Sequence, residues 1–140
     1  MTLKHFVCAL VGCAGGAIAN ITGDWDGAMT TLLIFMALDY ITGLVVAAVF
    51  GNSNKSEGGG LESRAGWKGL IRKGVTLMIV LAAYRLDLLI GTNYIKSAVI
   101  IAFCANEVIS LVENAGLMGV PVPEVIVRAI EILKQKGDEE

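Results

Sequence analysis

A single histidine, His5, is all that 140 residues offer for imidazole chemistry, and it stands beside Lys4 at the start of an apolar run. That removes His-based triads and zinc sites from consideration. Charge is scarce too: charged residues make up 17% of the chain, against about 25% in soluble domains. Eleven bases and 13 acids leave a net charge of −2 and no basic patch interleaved with aromatics, so nucleic acid is not an expected partner. The three cysteines, Cys8, Cys13 and Cys104, all lie inside apolar runs, where free thiols act as small hydrophobes rather than as a disulfide framework. Gly58-Gly59-Gly60 is followed by no Gly-Lys-Ser/Thr and preceded by no strand, which excludes a nucleotide-type phosphate loop. No cofactor or metal is expected, and no catalytic constellation emerges, so the chain does not read as an enzyme.

Apolar sequence is what the chain has: 55% of its residues are hydrophobic. The run from Ala28 to Phe50 exceeds the roughly 20 residues that cross a bilayer. Asp39 sits near its centre, where a carboxyl group costs about 2.5–3.5 kcal/mol on insertion scales. An acid at that depth needs a partner helix or a water-filled path. One domain, residues 1–140, accommodates four candidate spans at about 5–21, 28–50, 74–90 and 95–115. The expected class is therefore all-α: an integral membrane protein with three to four transmembrane helices and a C-terminal cytoplasmic amphipathic helix.

The first segment has two readings. Lys4, the apolar stretch and Ala17-Ile18-Ala19 resemble a signal peptide, and Leu10-Val11-Gly12-Cys13 a lipoprotein processing box. Further spans follow it, which favours a retained helix, and Gly12 and Gly16, four apart, suit close helix packing. Gly43 and Ala47 supply a similar small pair in the second span.

Orientation follows from the bases. The connection 51–73 carries Lys55, Arg64, Lys68, Arg72 and Lys73, whereas Thr22–Gly27 and Gly91–Tyr94 have none, so the central loop is expected in the cytoplasm with both termini. Trp25, Trp67 and Tyr94 fall near the expected interfaces. Residues 51–60 read as a flexible polar linker, and 61–73 as an interfacial helix leading into the third span, its bases favouring anionic headgroups. After Pro121 and Pro123, a tail helix over 123–136 sets Val125, Ile126, Ala129, Ile130 and Leu133 against Glu124, Arg128, Glu131 and Gln135.

The interior polar residues are the candidate functional set: Asp39, Thr42, Arg85, Asn106, Glu107, Ser110 and Glu113, lining a pore or joining helices. Asn106, Glu107, Ser110, Glu113 and Asn114 share about a third of one helix's circumference. Such a stripe either makes hydrogen bonds within a bundle or lines an aqueous lumen after oligomerisation. Counting residues from the basic loop puts Asp39, Arg85 and Glu107 at similar depths, so an Asp39–Arg85 or Glu107–Arg85 pair is expected. Asp87, two residues on, faces the opposite way toward the outer interface.

Met36-Ala37-Leu38-Asp39-Tyr40-Ile41-Thr42-Gly43-Leu44 resembles the Asp-Tyr/Leu-hydrophobic-Thr-Gly signature of the phage holin family that includes the clostridial toxin-release holin. The matches continue through Glu62–Lys73, Asn106–Asn114, and Gly119 and Pro123 before the tail, covering most of the chain from residue 28 onward. The resemblance implies a multi-pass protein of the bacterial cytoplasmic membrane. It implies assembly of many copies into homo-oligomers, whose lesion collapses the proton gradient. An endolysin or toxin then escapes as cargo rather than as a stable partner, and the cell lyses. The competing class is a small proton-coupled transporter in which Asp39 or Glu107 alternates between a cation and a proton.

Overall fold

A computed structural model describes residues 2–22 and 26–139, with side chains at 18–22, 133, 134 and 136–139 excepted. Asp24 and Trp25, and the side chains of Lys134 and Lys136, therefore lie outside the described residues. Among those residues there are five α-helices and no strand: α1 (Leu3–Thr22), α2 (Gly27–Ala48), α3 (Ser63–Ile90), α4 (Ile95–Leu117) and α5 (Glu124–Glu139). The 22 residues of α2 and 23 of α4 are long and apolar enough to cross a membrane. At ~1.5 Å per residue each reaches about 33–35 Å.

Local sequence explains the helix ends. Asp26 caps α2, its Oδ1 accepting from the Met29 N–H at 2.9 Å. Gly91, at φ +74°, ends α3 in the left-handed conformation that glycine adopts without penalty, and its N–H bonds back to the Asp87 carbonyl. Asp87 then serves the next helix. Its carboxylate accepts from Thr92 Oγ1 at 2.6 Å and from the backbone N–H groups of Ile95 and Lys96 at 3.0 and 2.9 Å. Those are orphan donors at the positive end of α4. Asp87 is thus buried as the clasp of the α3–α4 hairpin, and Lys96 lies over the Tyr84 ring at 5.2 Å beside it.

The bundle centres on α4, which packs most extensively against α2 and next against α3; α1 leans on α3. The buried positions of α2 are Met29, Leu32, Met36, Asp39 and Val46, with spacings of three, four, three and seven. In α4 they are Ile100, Glu107 and Asn114, seven apart. In α3 they are Val80, Ala83 and Asp87. A repeat of seven keeps one seam facing its neighbours along the whole length. Met29, Leu32, Met36, Val80 and Ile100 form the apolar half of that seam. Asp39, Glu107 and Asn114 occupy the other half, with Val46 buried beyond them.

Residues 49–62 contain neither helix nor strand, yet they form a closed loop rather than the loose linker that their composition suggests. Ser53 N–H donates to the Gly59 carbonyl at 2.8 Å, and Ser56 Oγ donates to the Gly60 carbonyl at 2.7 Å. Gly59 has φ +75°, and a Cβ there would lie 2.3 Å from the Gly51 carbonyl oxygen. Asn52 Nδ2 ties the loop to the Leu117 carbonyl at the end of α4, at 3.1 Å.

Candidate functional site

Where the seam turns polar, three helices meet at one ammonium group. Lys73 Nζ of α3 donates to Asp39 Oδ2 of α2 at 2.9 Å and to Glu107 Oε2 of α4 at 2.8 Å. The side chains of Asp39 and Glu107 are 7% and 9% exposed, so water does little to offset either charge. One cation between two carboxylates leaves the cluster one negative charge in excess. Hydrogen bonds absorb part of that excess: Asn114 Nδ2, one heptad beyond Glu107, is shared among Asp39 Oδ1 at 3.0 Å, the Asp39 carbonyl at 3.1 Å and Thr42 Oγ1 at 2.9 Å. Thr42 Oγ1 in turn donates to the Leu38 and Asp39 carbonyls. Among the described residues, no buried side-chain N or O lacks a partner.

Small residues line the approach. Tyr40 lies against Gly66 and Gly69, where a Cβ would come within 3.5 Å of its hydroxyl and 3.7 Å of its ring, respectively. Its hydroxyl donates to the Gly66 carbonyl at 3.2 Å. On α2, Gly43 leaves room for the Asn114 amide, 3.7 Å from where a Cβ would stand.

Within the chain, neither expected Arg85 pair forms among the described residues. Lys73 takes both carboxylates, and Arg85, 12 residues and about 18 Å further along the same helix, is exposed. Lys73 was expected at the cytoplasmic edge of the span, at the end of an interfacial helix, whereas α3 runs unbroken from Ser63 and carries Lys73 into the bundle. The polar stripe of α4 also divides. Glu107 and Asn114 are buried and Ser110 is half-buried, while Asn106 and Glu113 are exposed on its flanks. Asp39, Thr42 and Glu107 are brought together; Arg85 and Glu113 stand apart from them. Ala47 is half-buried on α2, whereas Gly12 and Gly16 have nothing within 4 Å of where a Cβ would stand. Lys73 was absent from the candidate set, and Asn114 entered only as part of the polar stripe, although both lie in phase with the seven-residue repeat.

The sequence comparisons place the chain in a family. The bacteriophage holin family model matches residues 16–135. The chain belongs to the bacteriophage holin family. An uncharacterized protein of Listeria innocua is 38% identical over 90% of this chain and 86% of its own length. An uncharacterized protein of Clostridium perfringens is 33% identical over 94% of this chain and 95% of its own. A Bacillus phage phi105 protein named a probable holin is 28% identical over 77% of this chain and 75% of its own. No solved structure matches. Family membership and the two long apolar helices make this a membrane protein of a non-enzymatic family.

Proposed function

We propose that the chain is a lysis holin that accumulates in the bacterial cytoplasmic membrane, assembles with copies of itself and opens a lesion. The lesion dissipates the proton gradient and releases an endolysin or toxin, and the cell lyses. The observation that carries this reading, beside family membership, is the Lys73–Asp39–Glu107 cluster. A buried charged seam holds three helices in one packing while isolated, and it supplies polar surface that can be hydrated if the helices separate in an assembly. The apolar part of α3 and the exposed α1 are taken as further spans, with both termini on the basic, cytoplasmic side and α5 lying at that surface.

Inducing the gene in a bacterium, while following membrane potential, culture density and escape of a co-expressed cytoplasmic endolysin, tests it. Potential should collapse abruptly after a lag, followed by release of the endolysin and a fall in density. A proton-coupled transporter on Asp39 or Glu107 predicts growth without lysis and complete loss of activity in D39N or E107Q. A holin predicts shifted lysis times in the same variants.

A further inference from the structure

Beside the charged cluster, between α2, the start of α3, the 49–62 loop and α4, lies a cavity of about 550 Å³ that opens to the surface. It exists because its walls are short of side chains: Gly43, Ala47, Gly60, Ala65, Gly66 and Gly69 all line it. Its charged lining comprises Lys55, Lys68, Arg72 and Lys73 against Asp39, Glu62 and Glu107, four bases to three acids. The two acids at its floor are already held by Lys73. Lys55, Lys68 and Arg72 at its mouth make no ion pair among the described residues. Lys55 reaches in from the loop, its Nζ 3.9 Å from the position of a Cβ on Gly43.

A second feature adjoins the mouth. Lys68 and Arg72, four apart, share one stripe of α3, while Trp67, Leu70 and Ile71 form the neighbouring one. Trp67 and Ile71 are 65% and 61% exposed, and Leu61, which lines the cavity, is 63% exposed. Bases beside exposed apolar side chains, in a chain that lives in a membrane, match a molecule with an anionic head and hydrocarbon tails.

We propose that this cavity binds the phosphate-bearing headgroup of an anionic membrane lipid, with Lys55, Lys68 and Arg72 as its anion-binding groups and the acyl chains lying on Leu61, Trp67, Leu70 and Ile71. The lipid supplies a phosphodiester charge to bases that make no ion pair among the described residues. Its seat touches α2, α3, α4 and the loop at once, so occupancy ties the loop to the three-helix packing.

Native mass spectrometry of the full chain in detergent, titrated with phosphatidylglycerol or phosphatidylcholine, tests this without any lysis readout, so it stands or falls apart from the lesion proposal. Phosphatidylglycerol should be retained in preference to phosphatidylcholine. K68Q/R72Q should weaken that retention by about tenfold or more, K55Q should weaken it with no helix altered, and R128Q on α5 should leave it unchanged. Ala65→Leu keeps every charge but fills the cavity and should also abolish preference, with circular dichroism confirming helix content. Unchanged retention in K68Q/R72Q and K55Q, full retention in a folded Ala65→Leu, or equal retention of the two lipids overturns the proposal. Displacement of phosphatidylglycerol by millimolar inorganic phosphate assigns the cavity to free phosphate and overturns the lipid.

Discussion

Lys73 decides the energetics of the polar seam because Asp39 and Glu107 both depend on it. Removing one partner from a buried ion pair costs about 3–5 kcal/mol, since the remaining charge stays desolvated; here two carboxylates would be left facing each other. K73M should therefore fall sharply in membrane abundance and in resistance to unfolding by denaturing detergent, whereas R85Q should stay within about 0.5 kcal/mol of the parent. A double-mutant cycle sharpens the contrast. D39N with K73M should show coupling of about 1 kcal/mol or more, and D39N with R85Q should be additive. Coupling of Asp39 to Arg85 as strong as that to Lys73 would contradict the structure. Asn114→Leu removes the amide shared by Asp39 and Thr42, so it should cost about 1–3 kcal/mol in the same assay. Lys73 was open to discovery from the sequence, since it precedes Val80 and Asp87 by one and two heptads; Asn114, already in the polar stripe, follows Glu107 by one. Arg85 is out of phase with that repeat.

At the scale of the elements, the two apolar helices were legible and the third was only half so. The apolar runs at 28–50 and 95–115 placed α2 and α4 within two residues of their observed ends. The expected span at 74–90 and interfacial helix at 61–73 are one helix of 28 residues, because nothing between Trp67 and Leu77 breaks the backbone ladder. Composition changes along α3, but helical continuity does not. The hairpin that follows carries its own test. Asp87→Ala removes three acceptor contacts at the start of α4 and should cost about 0.5–2 kcal/mol. Gly91→Ala forces a Cβ into the left-handed region and should cost about 1–2 kcal/mol. Detergent-unfolding midpoints for both variants check these values, and an unchanged midpoint for Asp87→Ala would show that water replaces the carboxylate without loss.

For the molecule as a whole, α1 has surface to spare: nearly all of its described side chains are exposed. Cys8, Gly12 and Gly16 fall on one stripe at intervals of four, Cys13 lies away from it, and both thiols are exposed. If copies pack through that glycine stripe, mild oxidation in membranes should yield dimers from C13S/C104S but not from C8S/C104S. Dimers through Cys13 alone would place the contact on another face. Residue patterns reveal such surfaces but cannot say which copy fills them, since hydrocarbon and a neighbouring helix are equally apolar.

The seven-residue interval between Glu107 and Asn114 has one further consequence, for how the bundle can move. Sliding α4 along α2 by a single turn would set Phe103, Cys104 or Leu111 in the place of Glu107 and take the Asn114 amide away from Asp39, leaving Lys73 alone to hold its carboxylate. A slide of one full heptad, about 10 Å, would bring a polar side chain opposite it again. Displacement along the helix axis is therefore stepped rather than graded, with the charges acting as detents, and any rearrangement must clear the whole interval or return.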